Sequence, residues 1–258
     1  MPGLVSEATL KLGAWCGIPS SYSVELMCAA GYDWICIDTQ HGMVDYPSVR
    51  GMLQASSIRG LPALVRVPSA GDTAAIMRAL DAGAAGVLVP MVSTAQEARA
   101  AVSACRYPPA GTRSWGPARA LPSGPGYSPE AANKHVICAV QIETLEALEN
   151  LGDILSVDGV DMAFVGPADL ALAMGLRPAA APQRGEHAAA IEMVARRARE
   201  AGVRAGVYGG SPEVAAQYAR LGYDFVVAAN DAQLLSQWAR HTVDTVRAAA
   251  GKPDPLLT

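Results

Sequence analysis

Two carboxylates stand shortly after two consecutive apolar runs of the sequence. Glu143 follows the run Val136–Ile142, and Asp169 follows Met162–Val165 after a Gly-Pro-Ala link. If both runs are neighbouring strands of a parallel sheet, the two side chains hang over the same end of it. Two hard oxygen ligands suit Mg²⁺ or Mn²⁺, with Co²⁺ also compatible, and water or substrate oxygens would complete the shell. Taken singly, a carboxylate in such a position is more often a helix N-cap or an ion-pair partner than a metal ligand.

A histidine and an arginine occupy similar positions after two earlier apolar runs. His41 lies three residues beyond the run Trp34–Asp38, and Arg66 lies at the end of the next run. Imidazole titrates near neutral pH, so His41 is a candidate general base, and a carboxylate could orient its second nitrogen. Asp38 and Asp81 are both candidates for that carboxylate, and position alone does not choose between them. The alternative is that His41 is an ordinary surface residue.

The four side chains named above lie at the same end of the molecule if the chain is a closed (β/α)₈ barrel. Short β-prone runs alternate with helical patterns, which is typical of βαβ units and a parallel sheet. We predict one domain over residues 1–258, with a core at about 10–235 and a C-terminal helix at about 230–250. A doubly wound open sheet is the alternative fold. The eight predicted strands are Leu12–Cys16, Trp34–Asp38, Ala63–Val67, Gly86–Pro90, Val136–Ile142, Met162–Val165, Arg204–Val207 and Phe225–Ala228.

The composition excludes several classes of protein. Hydrophobic residues make up 51% of the 258 residues, enough for one large core, which excludes a disordered chain or a disulfide-stapled miniprotein. A net charge of −4 gives no basic field for a polyanion, so no nucleic-acid partner is expected. No stretch approaches the ~20 apolar residues of a membrane span, and we expect a cytoplasmic protein without a membrane partner. The five cysteines form no C-x-x-C pair and are predicted to be free thiols.

The positions of the lysines argue against Schiff-base chemistry. Lys11 and Lys134 precede predicted strands, which places them at the end of the barrel opposite the strand carboxyl ends, and Lys252 lies in the C-terminal tail. A Schiff base requires a lysine inside the pocket. Carbonyl chemistry in this chain would therefore depend on a metal ion.

One long segment interrupts the alternating pattern. It runs from Cys105 to Asn133 and is rich in proline and glycine. Loops of this length in a compact domain are usually functional, so we predict a lid, a rim of the active site or a contact between subunits. A tolerated surface insertion is the alternative.

Six sequence motifs, in order along the chain, carry a resemblance to a known family. They are Gly17–Glu25, Trp34–Gly42, Leu88–Val92, Arg106–Arg113, Gln141–Thr144 and Phe164–Leu170. Together they resemble the HpcH/HpaI aldolase family, the metal-dependent class II pyruvate aldolases that include 4-hydroxy-2-oxoheptanedioate aldolase and 2-keto-3-deoxy sugar-acid aldolases. The resemblance extends over about residues 10–235.

The resemblance implies a lyase that depends on a divalent metal. Such an enzyme cleaves or forms 4-hydroxy-2-oxo acids through a pyruvate enolate and releases pyruvate and an aldehyde. Oxaloacetate decarboxylation would pass through the same enolate as a side activity. The resemblance also implies a homo-oligomer, a trimer or hexamer, in which the helix near residues 230–250 is exchanged between subunits.

The resemblance further assigns catalytic roles to residues of this chain. His41 would be the catalytic base, Asp81 would raise its basicity, and Arg66 would stabilise developing negative charge. The chain departs from the family where Gln40 replaces a common Glu beside the histidine. Loss of that anion weakens the base unless Asp81 or Asp38 dominates, which marks a subgroup and affects the choice of substrate.

The resemblance also assigns ligands for the metal and the substrate. Glu143 and Asp169 would hold the divalent cation. The side chain of Gln141, with the backbone at Ala168 and Asp169, would hold the pyruvyl part of the substrate.

Two other interpretations stay open at this point. An acyl-CoA lyase of the malyl-CoA or citryl-CoA type would need a positive rim for nucleotide phosphates, which Arg106, Arg113 and Arg119 could supply. Gly206–Gly210 could bind a phosphate, although the same glycines also suit a tight turn. The second of these interpretations is a barrel that has lost its activity and is kept only as a binding module, with Gln40 as the sign of that loss.

Overall fold

Eight parallel strands close into a barrel in sequential order, with β1 paired to both β2 and β8. The computed structural model describes residues 9–121 and 126–250. The predicted (β/α)₈ architecture is confirmed, and the pairing of the first strand with the last excludes the open sheet. The strands are β1 (Lys11–Cys16), β2 (Trp34–Asp38), β3 (Ala63–Arg66), β4 (Gly86–Val89), β5 (Ile137–Ile142), β6 (Met162–Val165), β7 (Arg204–Tyr208) and β8 (Phe225–Asn230).

Each predicted apolar run coincides with a strand, and the boundaries differ by at most two residues. The largest difference is in β8, which continues two residues beyond the predicted Ala228. Its last residue, Asn230, pairs with Trp15 of β1, so sheet register extends the strand past its apolar run. A polar residue at that position gave no strand signal in the sequence.

Helices surround the barrel, and most begin at a side-chain cap. Thr94 and Glu97 form a reciprocal capping box, and the Asp45 side chain accepts the Ser48 N–H. These caps fix where each helix leaves its loop. The helices in the described ranges are α1 (Ser21–Ala29), α2 (Tyr46–Ile58), α3 (Thr73–Asp81), α4 (Ala95–Cys105), α5 (Pro129–His135), α6 (Leu145–Glu149), α7 (Leu151–Leu155), α8 (Pro167–Ala173), α9 (Glu186–Glu200), α10 (Pro212–Arg220) and α11 (Asp231–Ala249).

Large aromatic side chains fill the barrel interior. Trp34 and Phe225 pack edge to face at 5.8 Å between ring centroids, and Phe164 packs against Trp15 at 6.0 Å. Gly13 makes room for them, because a Cβ at this position would lie 2.3 Å from the Trp34 ring. The apolar layer between strands and helices forms a second and larger core cluster.

The close approach at Gly13 generates a stability prediction. Gly13→Ala forces the Trp34 ring or its strand to move, so we expect the free energy of unfolding to fall by about 1–3 kcal/mol. Urea denaturation followed by circular dichroism measures the change. Gly71→Ala is the matched control, because nothing lies within 4 Å of the added carbon there. Equal effects of the two substitutions would contradict this packing account.

The described part of the long segment lies at the amino-terminal end of the barrel. Arg106 donates to Asp161, which directly precedes β6, and Arg113 donates to Asp81 at the end of α3. Arg119 donates to the backbone carbonyl of Ala82, the residue after α3. The predicted lid or rim over the pocket of the same protomer is therefore wrong for the described residues. The predicted contact between subunits stays a prediction.

Other expectations concern lysines, cysteines and membrane spans. Lys11 begins β1 and Lys134 lies in α5 before β5, so both stand at the amino-terminal end, as predicted. Lys252 lies outside the described residues. All five cysteines are free thiols, which confirms their prediction. Within the described ranges, each helix is too short or too polar to cross a bilayer.

Candidate active site

A pocket of about 410 Å³ opens at the carboxyl ends of the strands. It brings together four side chains that the sequence placed there, namely His41, Arg66, Gln141 and Asp169. The backbone of Ala168 also lies at its wall. The sheet topology explains this meeting, because every strand of a parallel barrel ends at the same face.

A buried ion pair joins the ends of β2 and β3. Arg66 Nε donates to Asp38 Oδ1 at 2.8 Å and one Nη donates to Oδ2 at 2.7 Å. The two residues are direct partners in the strand register, so the sheet itself places them side by side. Burial would raise the pKa of Asp38, but the hydrogen bonds and charge of Arg66 lower it below its ordinary value. Asp38 is therefore a carboxylate, and Arg66 is fixed at the pocket wall.

The same carboxylate organises the loop that carries His41. Asp38 Oδ1 accepts the backbone N–H groups of Gln40 at 3.0 Å and His41 at 3.3 Å. Its Oδ2 also accepts the Trp15 indole N–H at 3.0 Å. The His41 side chain remains exposed at the mouth of the pocket, as predicted. Asp38 thus positions the loop through backbone contacts.

Asp38→Asn tests the importance of this ion pair. The substitution leaves the Arg66 charge buried without its counter-ion, so we expect the free energy of unfolding to fall by about 3–5 kcal/mol in urea denaturation.

The control for Asp38→Asn is Glu200→Gln, which breaks an exposed pair with Arg196 at 3.4 Å. That change should cost less than about 1 kcal/mol. A loss at Asp38 no larger than the loss at Glu200 would show that the buried pair adds little stability.

Glu143 is buried directly after β5. Its Oε1 accepts the Met91 backbone N–H at 2.8 Å, and its Oε2 accepts the Gln141 amide at 2.6 Å. Burial and the neighbouring charge of Asp169 raise the pKa of Glu143 to about 7, against the opposing effect of the Met91 N–H. Because the charge of Asp169 acts on Glu143, the two predicted carboxylates lie close together.

The chemistry of these donors fits a hard divalent cation. Two adjacent carboxylates repel each other once both are ionised, and a cation between them removes that repulsion. The Gln141 Oε1 atom is buried and lacks a hydrogen-bond partner among the described residues, which leaves an acceptor beside the pair. A Cβ on Gly166 would lie 2.3 Å from Glu143 Oε2, so only glycine lets the backbone approach this closely. In the described ranges, no group of three His, Cys, Asp or Glu side chains is arranged to hold a metal ion.

Asp81 does not join the pocket of its own protomer. Its carboxylate pairs with Arg113 at 2.7 Å at the amino-terminal end of the barrel. Asp38 contacts the His41 backbone, and neither aspartate hydrogen-bonds the His41 ring within the described residues. The predicted action of Asp81 on His41 stays a prediction.

Sequence reasoning missed several pocket residues. Trp15 packs under the Arg66 guanidinium at 4.8 Å from the ring centroid, and Tyr208 lies edge-on to Trp15 at 5.4 Å. Asn230 lines the same pocket, and burial raises the pKa of Tyr208. These three residues lie at or next to the carboxyl ends of β1, β7 and β8. Their position at the strand ends could have indicated that they line the site. Their residue types gave no sign of chemistry and suggested ordinary packing instead.

The fold and the site together define a TIM-barrel enzyme, with carboxylate, imidazole and guanidinium side chains around one pocket at the strand carboxyl ends. Residues 11–238 match the HpcH/HpaI aldolase/citrate lyase family, and the chain belongs to that family. It is accordingly an enzyme of the lyase class, an aldolase.

Three similar proteins illustrate the relationship. A hydroxypyruvate/pyruvate aldolase of Rhizorhabdus wittichii is 41% identical over 244 residues, 94% of this chain and 96% of the relative. A 4-hydroxy-2-oxo-heptane-1,7-dioate aldolase of Klebsiella pneumoniae is 44% identical, with 89% of this chain and 86% of the relative covered. The crystal structure of an HpcH/HpaI aldolase/citrate lyase family protein from Burkholderia cenocepacia superimposes with a TM-score of 0.86 at 32% identity, covering 95% of this chain and 97% of the other.

Proposed function

We propose that this aldolase cleaves and forms 4-hydroxy-2-oxo acids, with pyruvate and an aldehyde as the products of cleavage. The observation that carries the proposal is the Glu143–Asp169 carboxylate pair: Asp169 lines the pocket together with Arg66 and His41, and Glu143 is buried beside Asp169. The relatives support the substrate class, because the compound named for the Klebsiella enzyme is itself a 4-hydroxy-2-oxo acid. Oxaloacetate decarboxylation would be a side activity through the same enolate.

Glu143 and Asp169 would hold the cation, with Mg²⁺ or Mn²⁺ favoured by their oxygen donors and Co²⁺ as a further candidate. When bound, such a cation supplies Lewis acidity toward the ketone and carboxylate oxygens of a 2-oxo acid. Gln141 offers its unpaired amide oxygen beside the pair, and it would orient the pyruvyl part of the substrate. The backbone at Ala168 and Asp169 would contribute to the same contact, and Gly166 before them offers no side-chain cap.

His41 and Arg66 would carry out the proton and charge chemistry. In cleavage, the His41 imidazole takes the proton from the C4 hydroxyl, the C3–C4 bond breaks, and the C4 oxygen becomes the aldehyde carbonyl. The electron pair of the broken bond passes into the pyruvate enolate, which then takes a proton at C3. Arg66 is held by Asp38 at the pocket wall, where its positive charge stabilises the enolate oxygen.

Gln40 bears on the strength of the base. Its side-chain oxygen is buried without a hydrogen-bond partner in the described part of the chain. Because it is neutral, it does not stabilise the imidazolium of His41 as an acidic residue would. We infer that Gln40 contributes to the choice of substrate, which stays a prediction.

Asp169→Asn tests the proposed cation site. The amide is a poorer ligand and cannot offset the cation's charge, so we expect loss of both Mn²⁺ binding and pyruvate release. Electron paramagnetic resonance of free Mn²⁺ measures the first, and a coupled pyruvate assay measures the second. Glu149→Gln, an exposed change on α6, should leave both intact. Normal Mn²⁺ binding by Asp169→Asn would remove this residue from the cation site.

His41→Ala separates the base from the cation site. We expect cleavage of a 4-hydroxy-2-oxo acid to slow by about 10²–10⁴-fold, because general-base catalysis is lost. Mn²⁺ affinity should stay near that of the wild type, since the His41 ring is not among the proposed ligands. Unchanged turnover in a stopped assay of aldehyde release would contradict the assignment of the base.

The acyl-CoA alternative is not supported by the geometry. Arg106, Arg113 and Arg119, the proposed phosphate rim, contact Asp161, Asp81 and Ala82 at the far end of the barrel. The pocket contains none of them. The binding-module interpretation is excluded by membership of an enzyme family with its pocket residues assembled.

The C-terminal helix supports assembly with other copies of the chain. In α11 only the first residue, Asp231, is buried, and it holds the β1–α1 loop by accepting from the Gly17 and Ile18 N–H groups. Apolar side chains remain exposed to water along the helix, and an exposed apolar patch of this kind is typical of an interaction surface. We infer a homo-oligomer, a trimer or hexamer, that covers them. The exposed apolar residues are Leu234, Leu235, Trp238, Val243 and Val246.

Trp238→Glu tests the role of α11. A charge at this position, where the ring is 71% exposed in the protomer, should reduce the assembly to smaller species in light scattering coupled to size exclusion. Gln237→Glu adds the same charge beside it, away from the apolar face, and should preserve the assembly. Identical elution of both variants and wild type would exclude an interface through Trp238.

A cytoplasmic location of the protein also stays a prediction.

A further inference from the structure

One fully buried histidine lies outside the pocket and contacts the helix that carries Asp169. His187 is the second residue of α9, and its side chain is 0% exposed. Its Nε2 lies 2.9 Å from the carbonyl oxygen of Pro167, the first residue of α8. Its Nδ1 accepts the backbone N–H of Gln183 at 3.0 Å. Both ring nitrogens are therefore committed to backbone groups.

These two contacts define the state of the ring. Because Nδ1 accepts a hydrogen bond, it carries no proton, and the proton of the neutral imidazole is on Nε2. The Nε2–H group therefore donates to the Pro167 carbonyl. The arrangement is directional, since one nitrogen accepts from the connecting segment and the other donates to α8.

The helix that receives this bond is short, and its first turn has no side-chain cap. α8 spans Pro167–Ala173, and its N-cap residue Gly166 has no side chain to cap the first turn. Asp169 lies in that first turn, where its carboxylate meets Glu143. A shift of the first turn would move the Asp169 carboxylate away from Glu143. The His187 bond to Pro167 restrains the turn two residues before Asp169.

We propose that His187 is a positioning residue, which holds the first turn of α8 so that Asp169 stays aligned with Glu143. The inference rests on the proposed function, in which these two carboxylates bind the divalent cation. Residues outside the ligand set that fix ligand orientation affect metal affinity in many sites. His187 would act in this way through the backbone, without touching cation or substrate.

A structural role in the connecting segment is the competing explanation. The segment of residues 174–185 between α8 and α9 is also held by Tyr218, whose hydroxyl donates to the carbonyl of Ala180. Gln183 adds a bond to the Arg177 carbonyl within the segment. Tyr218 hydrogen-bonds the segment and, among the described residues, makes no hydrogen bond to α8, so Tyr218→Phe is a matched control that loosens the segment alone.

Two substitutions separate the two hydrogen bonds of His187. His187→Gln places an amide donor near the former Nε2 position and can keep the bond to Pro167. His187→Asn places its oxygen near the former Nδ1 position, so it can accept from Gln183 but does not reach Pro167. The two variants differ in whether they can keep the hydrogen bond to Pro167. Both new side chains are polar and no larger than about the size of histidine.

The first experiment measures Mn²⁺ affinity of the metal-free full-length protein by electron paramagnetic resonance. We expect His187→Asn to weaken Mn²⁺ binding by about tenfold, the scale seen for residues that orient metal ligands. His187→Gln and Tyr218→Phe should both stay close to wild type. Equal affinities of the Asn and Gln variants would overturn the proposal. An equal weakening in Tyr218→Phe would overturn it too, because loosening the segment would then be sufficient.

Hydrogen–deuterium exchange without metal provides a readout that does not depend on the proposed function. The amides of α8 should exchange faster in His187→Asn than in His187→Gln or wild type. If wild type itself fails to bind Mn²⁺, the proposed cation site is contradicted, and the exchange data alone decide whether His187 restrains α8. Unchanged α8 exchange in His187→Asn would overturn the positioning role.

Discussion

The active site depends on the buried ion pair between Asp38 and Arg66. The register of β2 with β3 makes these residues neighbours, and moving both charges out of water is costly unless every donor and acceptor is used. Asp38 meets that condition by accepting from Arg66, Trp15 and the backbone of the His41 loop. One carboxylate therefore fixes the cationic side chain and the loop of the proposed base.

A second constraint is the close packing of backbone against the Glu143 carboxylate. Gly166 brings the β6–α8 junction against Glu143, and Asp169 follows within the first turn of α8. These residues and Arg66 come from strands of one closed barrel, which holds the arginine and the two carboxylates at the same end. Catalysis by positioned charges requires this rigidity, because the donors must be in place before charge develops.

The sequence predicted the fold well, because alternating apolar runs and helical segments report the βαβ repeat directly. His41 and Asp169 were located by their position after strands and Arg66 by its position at the end of one, whereas Gln141 was assigned by the family resemblance. The contact of Arg106 and Arg113 with the amino-terminal end was not predictable, since a long irregular segment carries no periodicity that shows which end it covers. Trp15 also escaped notice, because an aromatic residue in an apolar strand looks like ordinary core.

The central claim is that this site forms a pyruvate enolate with the help of a divalent cation. Proton NMR of pyruvate in deuterated buffer tests it most directly, because an enolate exchanges the methyl protons without any need to know the aldehyde. The account predicts that the methyl signal disappears with enzyme and Mn²⁺ or Mg²⁺, and that a chelator stops this loss. A methyl signal that persists with metal, or that disappears equally fast in chelator, would contradict it.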